Sequence, residues 1–142
     1  MNVLGGTIHR NVYGGGSMGS VGAPKIDQGY DLAKKNLEDT STLGKQSQNT
    51  VTIGGGSTVV TIGTPFNSTR GWSYNKTYGG EVYGACRGVE GLDENEFATS
   101  IWTQVNILDK ATIMGNVYGG GDNGIVKKDT EVTVGGQPVT IP

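Results

Sequence analysis

Apolar and polar residues alternate with a period of two in several short, threonine- and valine-rich stretches. Thr50-Val51-Thr52-Ile53, Thr58-Val59-Val60-Thr61-Ile62, Ile101 through Ile107 and Glu131-Val132-Thr133-Val134 all show it, each flanked by glycine or polar residues. Alternation of β-branched and polar residues places one set of side chains on each face of an extended strand. Val139-Thr140-Ile141 is a further fragment of the same kind. One stretch favours helix, Tyr30 through Glu38, although Leu32 and Leu37 do not define a clean stripe. The pattern predicts an all-β chain.

A phrase recurs across these strands. Arg10-Asn11-Val12-Tyr13-Gly14-Gly15-Gly16 returns as Gly115-Asn116-Val117-Tyr118-Gly119-Gly120-Gly121, with a divergent copy at Gly80-Glu81-Val82-Tyr83-Gly84-Ala85-Cys86. Upstream, Asn2-Val3-Leu4-Gly5-Gly6-Thr7-Ile8 matches Asn106 through Ile113 with one residue inserted. A short β-unit repeated around glycine corners predicts stacked rungs that bury their faces against one another. The expected fold is a right-handed parallel β-helix, a β-solenoid, of about three to four turns with three faces per turn. An antiparallel β-sandwich is the alternative, because alternation alone does not set strand direction. The repeat positions expected to be structural are Asn11, Tyr13, Gly14, Gly16, Tyr83, Cys86, Asn116, Tyr118, Gly119 and Gly121, with the tyrosines forming a packed ladder. Long insertions are expected at about 23–49, 64–78 and 90–100.

Composition agrees with one domain. Glycine supplies 26 of 142 residues, about 2.5 times the usual share and without a collagen triplet period. The net charge of −2 carries no basic stripe, which argues against nucleic acid. No apolar run approaches the roughly 20 residues of a spanning helix, so membrane insertion is not expected. No export signal is visible. The chain begins inside a rung and ends on a strand, as a piece of a longer array would. Cys86 is the only cysteine, so no internal disulfide can form.

Candidate chemistry is sparse. Gly14-x-Gly16-x-x-Gly19 and Gly119-x-Gly121-x-x-Gly124 match half of a dinucleotide fingerprint, but no helix start follows either loop, and phosphate binding there needs one. Asp122 sits in a turn resembling the calcium nonapeptide of other β-solenoids, yet the matching positions Ser17 and Arg87 supply no carboxylate. His9 and Cys86 have no zinc spacing. No catalytic residue, metal or cofactor is expected. The aromatics are the better lead. Trp72, Tyr74 and Tyr78, with Phe66, are interleaved with Asn67, Arg70, Ser73 and Asn75, and an outward Trp102 is expected to join them. Flat rings beside amides and hydroxyls suit a sugar face. The same rings would also serve to seal a long loop against the wall.

The phrase Ile-x-Gly-Asn-Val-Tyr-Gly-Gly-Gly, with flanking Thr-Val-Thr-type strands, resembles large repetitive proteins of the surface of Bacteroides- and Prevotella-type gut bacteria. The matching residues are Ile113–Gly121 with Thr130–Gly136, and Ile8–Gly16 with Val3–Gly6, about half of the chain. The insertions depart from that pattern, as do Glu81, Ala85 and Cys86. The resemblance implies an exported, extracellular or cell-surface, adhesin-like or structural solenoid, and it brings no catalytic residues. The expected function is a non-enzymatic surface scaffold or adhesin-like module that contacts glycans or a host surface through its loops. The alternatives are a carbohydrate-active β-helix enzyme (a polysaccharide lyase or glycosidase) and a structural spacer that self-associates end to end.

Overall fold

The computed structural model describes residues 1–19, 21, 48–64, 79–91, 98–127 and 129–135. Among them lie twelve strands and no helix: β1 (Asn2–Val3), β2 (Gly6–Ile8), β3 (Val12–Tyr13), β4 (Gln48–Ile53), β5 (Val60–Ile62), β6 (Val82–Tyr83), β7 (Thr99–Ser100), β8 (Trp102–Ile107), β9 (Ala111–Ile113), β10 (Val117–Tyr118), β11 (Ile125–Val126) and β12 (Thr130–Val134). The stretch expected to be helical, Tyr30 through Glu38, lies outside the described residues, as does Val139 through Ile141.

The strands form four sheets, ordered β1-β4-β8-β12, β2-β5-β9, β3-β6-β10 and β7-β11. An isolated parallel bridge from Val21 to Ser100 extends the fourth sheet. The chain therefore passes through the first, second, third and fourth sheets in that order three times, with Val21 standing in on the first pass. It then re-enters the first sheet as β12. Every strand pairing is parallel. This rules out the antiparallel sandwich. Each strand pairs with its equivalent one pass away, so the connection is a long return rather than a hairpin.

Two further differences from the sequence reading have a physical origin. Four sheets are present where three faces were expected, because Thr99–Ser100 and Ile125–Val126 pair as β7 and β11. Strand also reaches into stretches read as insertions: β4 starts at Gln48 in register with Trp102, and β7 begins at Thr99. Their polar residues concealed them. Asn49 is buried and donates through Nδ2 to buried Ser100 Oγ at 2.8 Å.

The core is a set of columns. Val51 and Val105 align across β4 and β8, as do Ile53 and Ile107, while Val60, Ile62, Val12 and Val82 close the other sides. Burial depends on the pass. Val51 and Val105 are fully buried with a strand on each side of the column or nearby, whereas Val132 and Val134 in β12 are 42 % and 73 % exposed. Hydrophobic stabilisation follows the area removed from water, so the middle pass holds most of it.

Glycine has a particular task in one column. A β-carbon on Gly84 would lie 2.5 Å from the Gly119 carbonyl oxygen and 2.9 Å from Cγ2 of Val105. On Gly14 it would meet the Gly84 carbonyl and Val51, and on Gly119 it would meet Thr130 and Val132. The third sheet ends pressed against the first, and only a residue without a side chain permits that approach. The residue inserted before β9 is accommodated at Lys110, whose φ of 66° is left-handed. Its Nζ donates to the Ser57 carbonyl at 2.8 Å, tying the corner to the preceding pass.

Candidate functional site

The repeated Asn-Val-Tyr phrase builds the third sheet. Val12 and Val82 point inward and are buried, and Val117 packs against the same core at its end. Alternation then turns the tyrosines to the outer face. The register pairs Tyr13 with Tyr83 and Tyr83 with Tyr118. Their rings stack with centroids 5.0 Å apart at 3°, and 4.9 Å apart at 11°. The centroid distance lies within the range of favourable aromatic pairs. Tyr118 ends the stack among the described residues and is 42 % exposed.

Two residues before each tyrosine runs a polar column of Asn11, Glu81 and Asn116. Asn11 Oδ1 accepts from the Glu81 backbone N–H at 3.0 Å. Glu81 Oε2 accepts from the Asn116 backbone N–H at 3.1 Å, and Oε1 from Asn116 Nδ2 at 3.4 Å. Each acceptor thus holds a donor of the next pass. Asn11 Nδ2 also donates to the Tyr13 hydroxyl at 3.3 Å. Burial, then the carboxylates of Asp122 and Glu81, then the neighbouring phenols push the Tyr83 pKa up to about 12. At physiological pH this phenol is neutral, a hydrogen-bonding group rather than a base or nucleophile.

Cys86, in the slot that Gly16 and Gly121 occupy in the other copies, lies wholly inside. Asn49 Nδ2 donates to Ser100 Oγ, Ser100 Oγ lies 3.3 Å from Cys86 Sγ, and Sγ donates to the Gly19 carbonyl at 3.1 Å. With Sγ given to Gly19, the Ser100 hydroxyl is the donor to sulfur, so the chain runs in one direction. A thiol that is fully buried and hydrogen-bonded is a packing element, not an accessible nucleophile.

Of the four proposed ligand contacts, Trp72, Tyr74 and Tyr78 lie outside the described residues. Trp102 is the first residue of β8; it is half-buried, and its Nε1 is buried without a hydrogen-bond partner. Trp102 is expected to face outward, an expensive exposure unless something covers it, and its N–H is covered. Gln104 and Asn106, on the outward side of the same strand, are also buried. His9 is exposed, and its carbonyl accepts from Thr64 Oγ1 at 2.8 Å. Gly124 of the second glycine-rich loop is followed by β11, a strand where a phosphate site would need a helix.

The outer tyrosine stack with its amide–carboxylate column is the most organised surface feature described. The ladder was legible as a repeat, but its outward direction and the Asn11–Glu81–Asn116 chain needed register. Comparison with protein-family models, curated proteins and solved structures finds no match.

Proposed function

We propose that this chain is a segment of a right-handed β-solenoid that serves as a non-enzymatic scaffold or adhesin-like module at a cell surface. The observation that carries the reading is the in-register stack of the repeat. Tyr13, Tyr83 and Tyr118 superpose pass upon pass in an all-parallel sheet, and the four sheets are entered in a fixed order. A parallel crossover that closes this way is right-handed in nearly all proteins. The side chains with chemical potential are spent on holding passes together. Asn11 and Glu81 accept backbone N–H groups of the next pass, Asn116 Nδ2 donates to the Glu81 carboxylate, and Cys86 closes an interior hydrogen-bond chain. Such a wall displays loops; the resemblance of its repeat to gut-bacterial surface proteins supports an extracellular setting, and Trp72, Tyr74, Tyr78 and Trp102 are the proposed glycan contacts.

A glycan-array screen of the intact chain tests the contact, with Trp72→Ala run beside it and circular dichroism checking the fold. Selective binding that is lost in a folded Trp72→Ala supports glycan contact through the loops. Silence across host and plant glycans overturns that part of the reading, and release of unsaturated sugar ends would replace it with a lyase.

A further inference from the structure

Among the described residues, the outer edge of β10 is an unfilled step of a ladder. In the third sheet, Val12, Gly14 and Gly15 donate their N–H groups to carbonyls of the next pass, those of Glu81, Tyr83 and Ala85. Val82, Gly84 and Ala85 repeat this onto Asn116, Tyr118 and Gly120. In a parallel ladder the phase carries through, so the N–H groups of Val117, Gly119 and Gly120 point away from β6. No fourth strand of this sheet is present among the described residues. The side chains are poised in the same way. Among the described residues Tyr118 is stacked on one face only, and Asn116 stands where Asn11 and Glu81 each hold the next pass.

We propose that this edge binds an extended segment in β-augmentation, and that the segment carries the chain's own pattern of amide, aliphatic, aromatic and glycine. Each column specifies one residue. The aliphatic continues the inward Val12, Val82, Val117 series, and the aromatic closes the open face of Tyr118. Glycine falls in the column where Gly14, Gly84 and Gly119 leave no room for a β-carbon. Main-chain bonds supply the attraction in such complexes, and alternate side chains supply selectivity. A whole second copy does not fit as a rigid body. Its β1 and β3 belong to one pass, and β12 already occupies the step of the first sheet that the incoming β1 would need. The occupant is therefore a strand free of such neighbours. This inference rests on the third sheet alone and is independent of the surface-scaffold reading.

The test is a titration of the isotope-labelled full chain with the synthetic peptide Arg-Asn-Val-Tyr-Gly-Gly-Gly, followed by amide NMR and hydrogen exchange. The expected result is saturable shifts and slowed exchange at Val117 and Gly119. Tyr118→Ser should weaken binding about three- to tenfold through loss of one aromatic pair. Val117→Pro should abolish it, because that N–H serves no bond among the described residues. A peptide N-methylated along its backbone should fail as well, which tests the main-chain bonds without altering the protein. The proposal is overturned if no saturable shift appears, if a scrambled peptide binds equally, or if the N-methylated peptide binds as well as the parent.

Discussion

Replacing single glycines by alanine within one repeated motif should change stability in opposite directions. Gly84 and Gly120 occupy the glycine corners of successive copies, and neither has a positive φ. The backbone therefore tolerates alanine at both, and space alone decides. At Gly84 the new methyl would sit 2.5 Å from the Gly119 carbonyl oxygen and 2.9 Å from Val105 Cγ2, and the first of these is backbone that cannot swing aside. Overpacking of this kind costs about 1–3 kcal/mol. Alanine returns about 0.4–1 kcal/mol by restricting the unfolded chain. The net expectation is a loss of about 1–2 kcal/mol. At Gly120 no described atom lies within 4 Å of the built β-carbon. Only the unfolded-chain effect remains there, a gain of about 0.4–1 kcal/mol. Urea unfolding followed by far-ultraviolet circular dichroism measures both. With a slope of about 1–3 kcal/mol per molar, Gly84→Ala should lower the midpoint by roughly 0.5–1 M, and Gly120→Ala should raise it slightly. If Gly120→Ala were the more damaging of the two, the close approach of the third sheet to the first would be wrong.

Other outcomes follow from the same geometry. Tyr83 is held neutral in the folded state, with its pKa pushed up to about 12 from 10. The stability this contributes is complete below pH 10 and is lost as pH rises from about 10 to 12, because the unfolded phenol ionises first. Ultraviolet phenolate titration should show one late step that Tyr83→Phe removes; a titration without a late step would contradict the stack's electrostatics. Cys86 should resist a thiol reagent in native buffer and react once urea unfolds the chain, since it is fully buried. Rapid native labelling would show the interior hydrogen-bond chain to be open. Cys86→Val leaves the Ser100 hydroxyl and the Gly19 carbonyl without that partner, so it should cost about 1–3 kcal/mol despite its similar size.

The repeat made part of this architecture readable before any coordinates. Tyr13 and Tyr118 share identical flanks, so their equivalence, and with it a ladder, could be inferred. Direction could not be, because alternation at Thr50–Ile53 or Glu131–Val134 is the same for parallel and antiparallel strands. The fourth sheet was hidden for a different reason. Asn49, Ser100 and Thr103 are polar yet buried, and partners on another sheet of the same pass account for that: Asn49 on Ser100, and Thr103 Oγ1 on the Gly119 carbonyl. The same holds for the outer surface. The Glu81 that looked like a departure from asparagine serves the same backbone-capping place as Asn11, with its longer side chain reaching Asn116.

The central claim is that equivalent strands stack in parallel, one pass per step, and paired cysteines test it most directly. Thr7, Thr61 and Thr112 form one register column across β2, β5 and β9. Neighbouring strands lie about 4.8 Å apart, within the span a disulfide bridges, and alternate strands about 10 Å apart, beyond it. Oxidation should therefore cross-link Thr7→Cys with Thr61→Cys, and Thr61→Cys with Thr112→Cys, but not Thr7→Cys with Thr112→Cys. Cross-linking of the Thr7–Thr112 pair, or failure of both neighbouring pairs in the folded chain, would contradict the stacked arrangement.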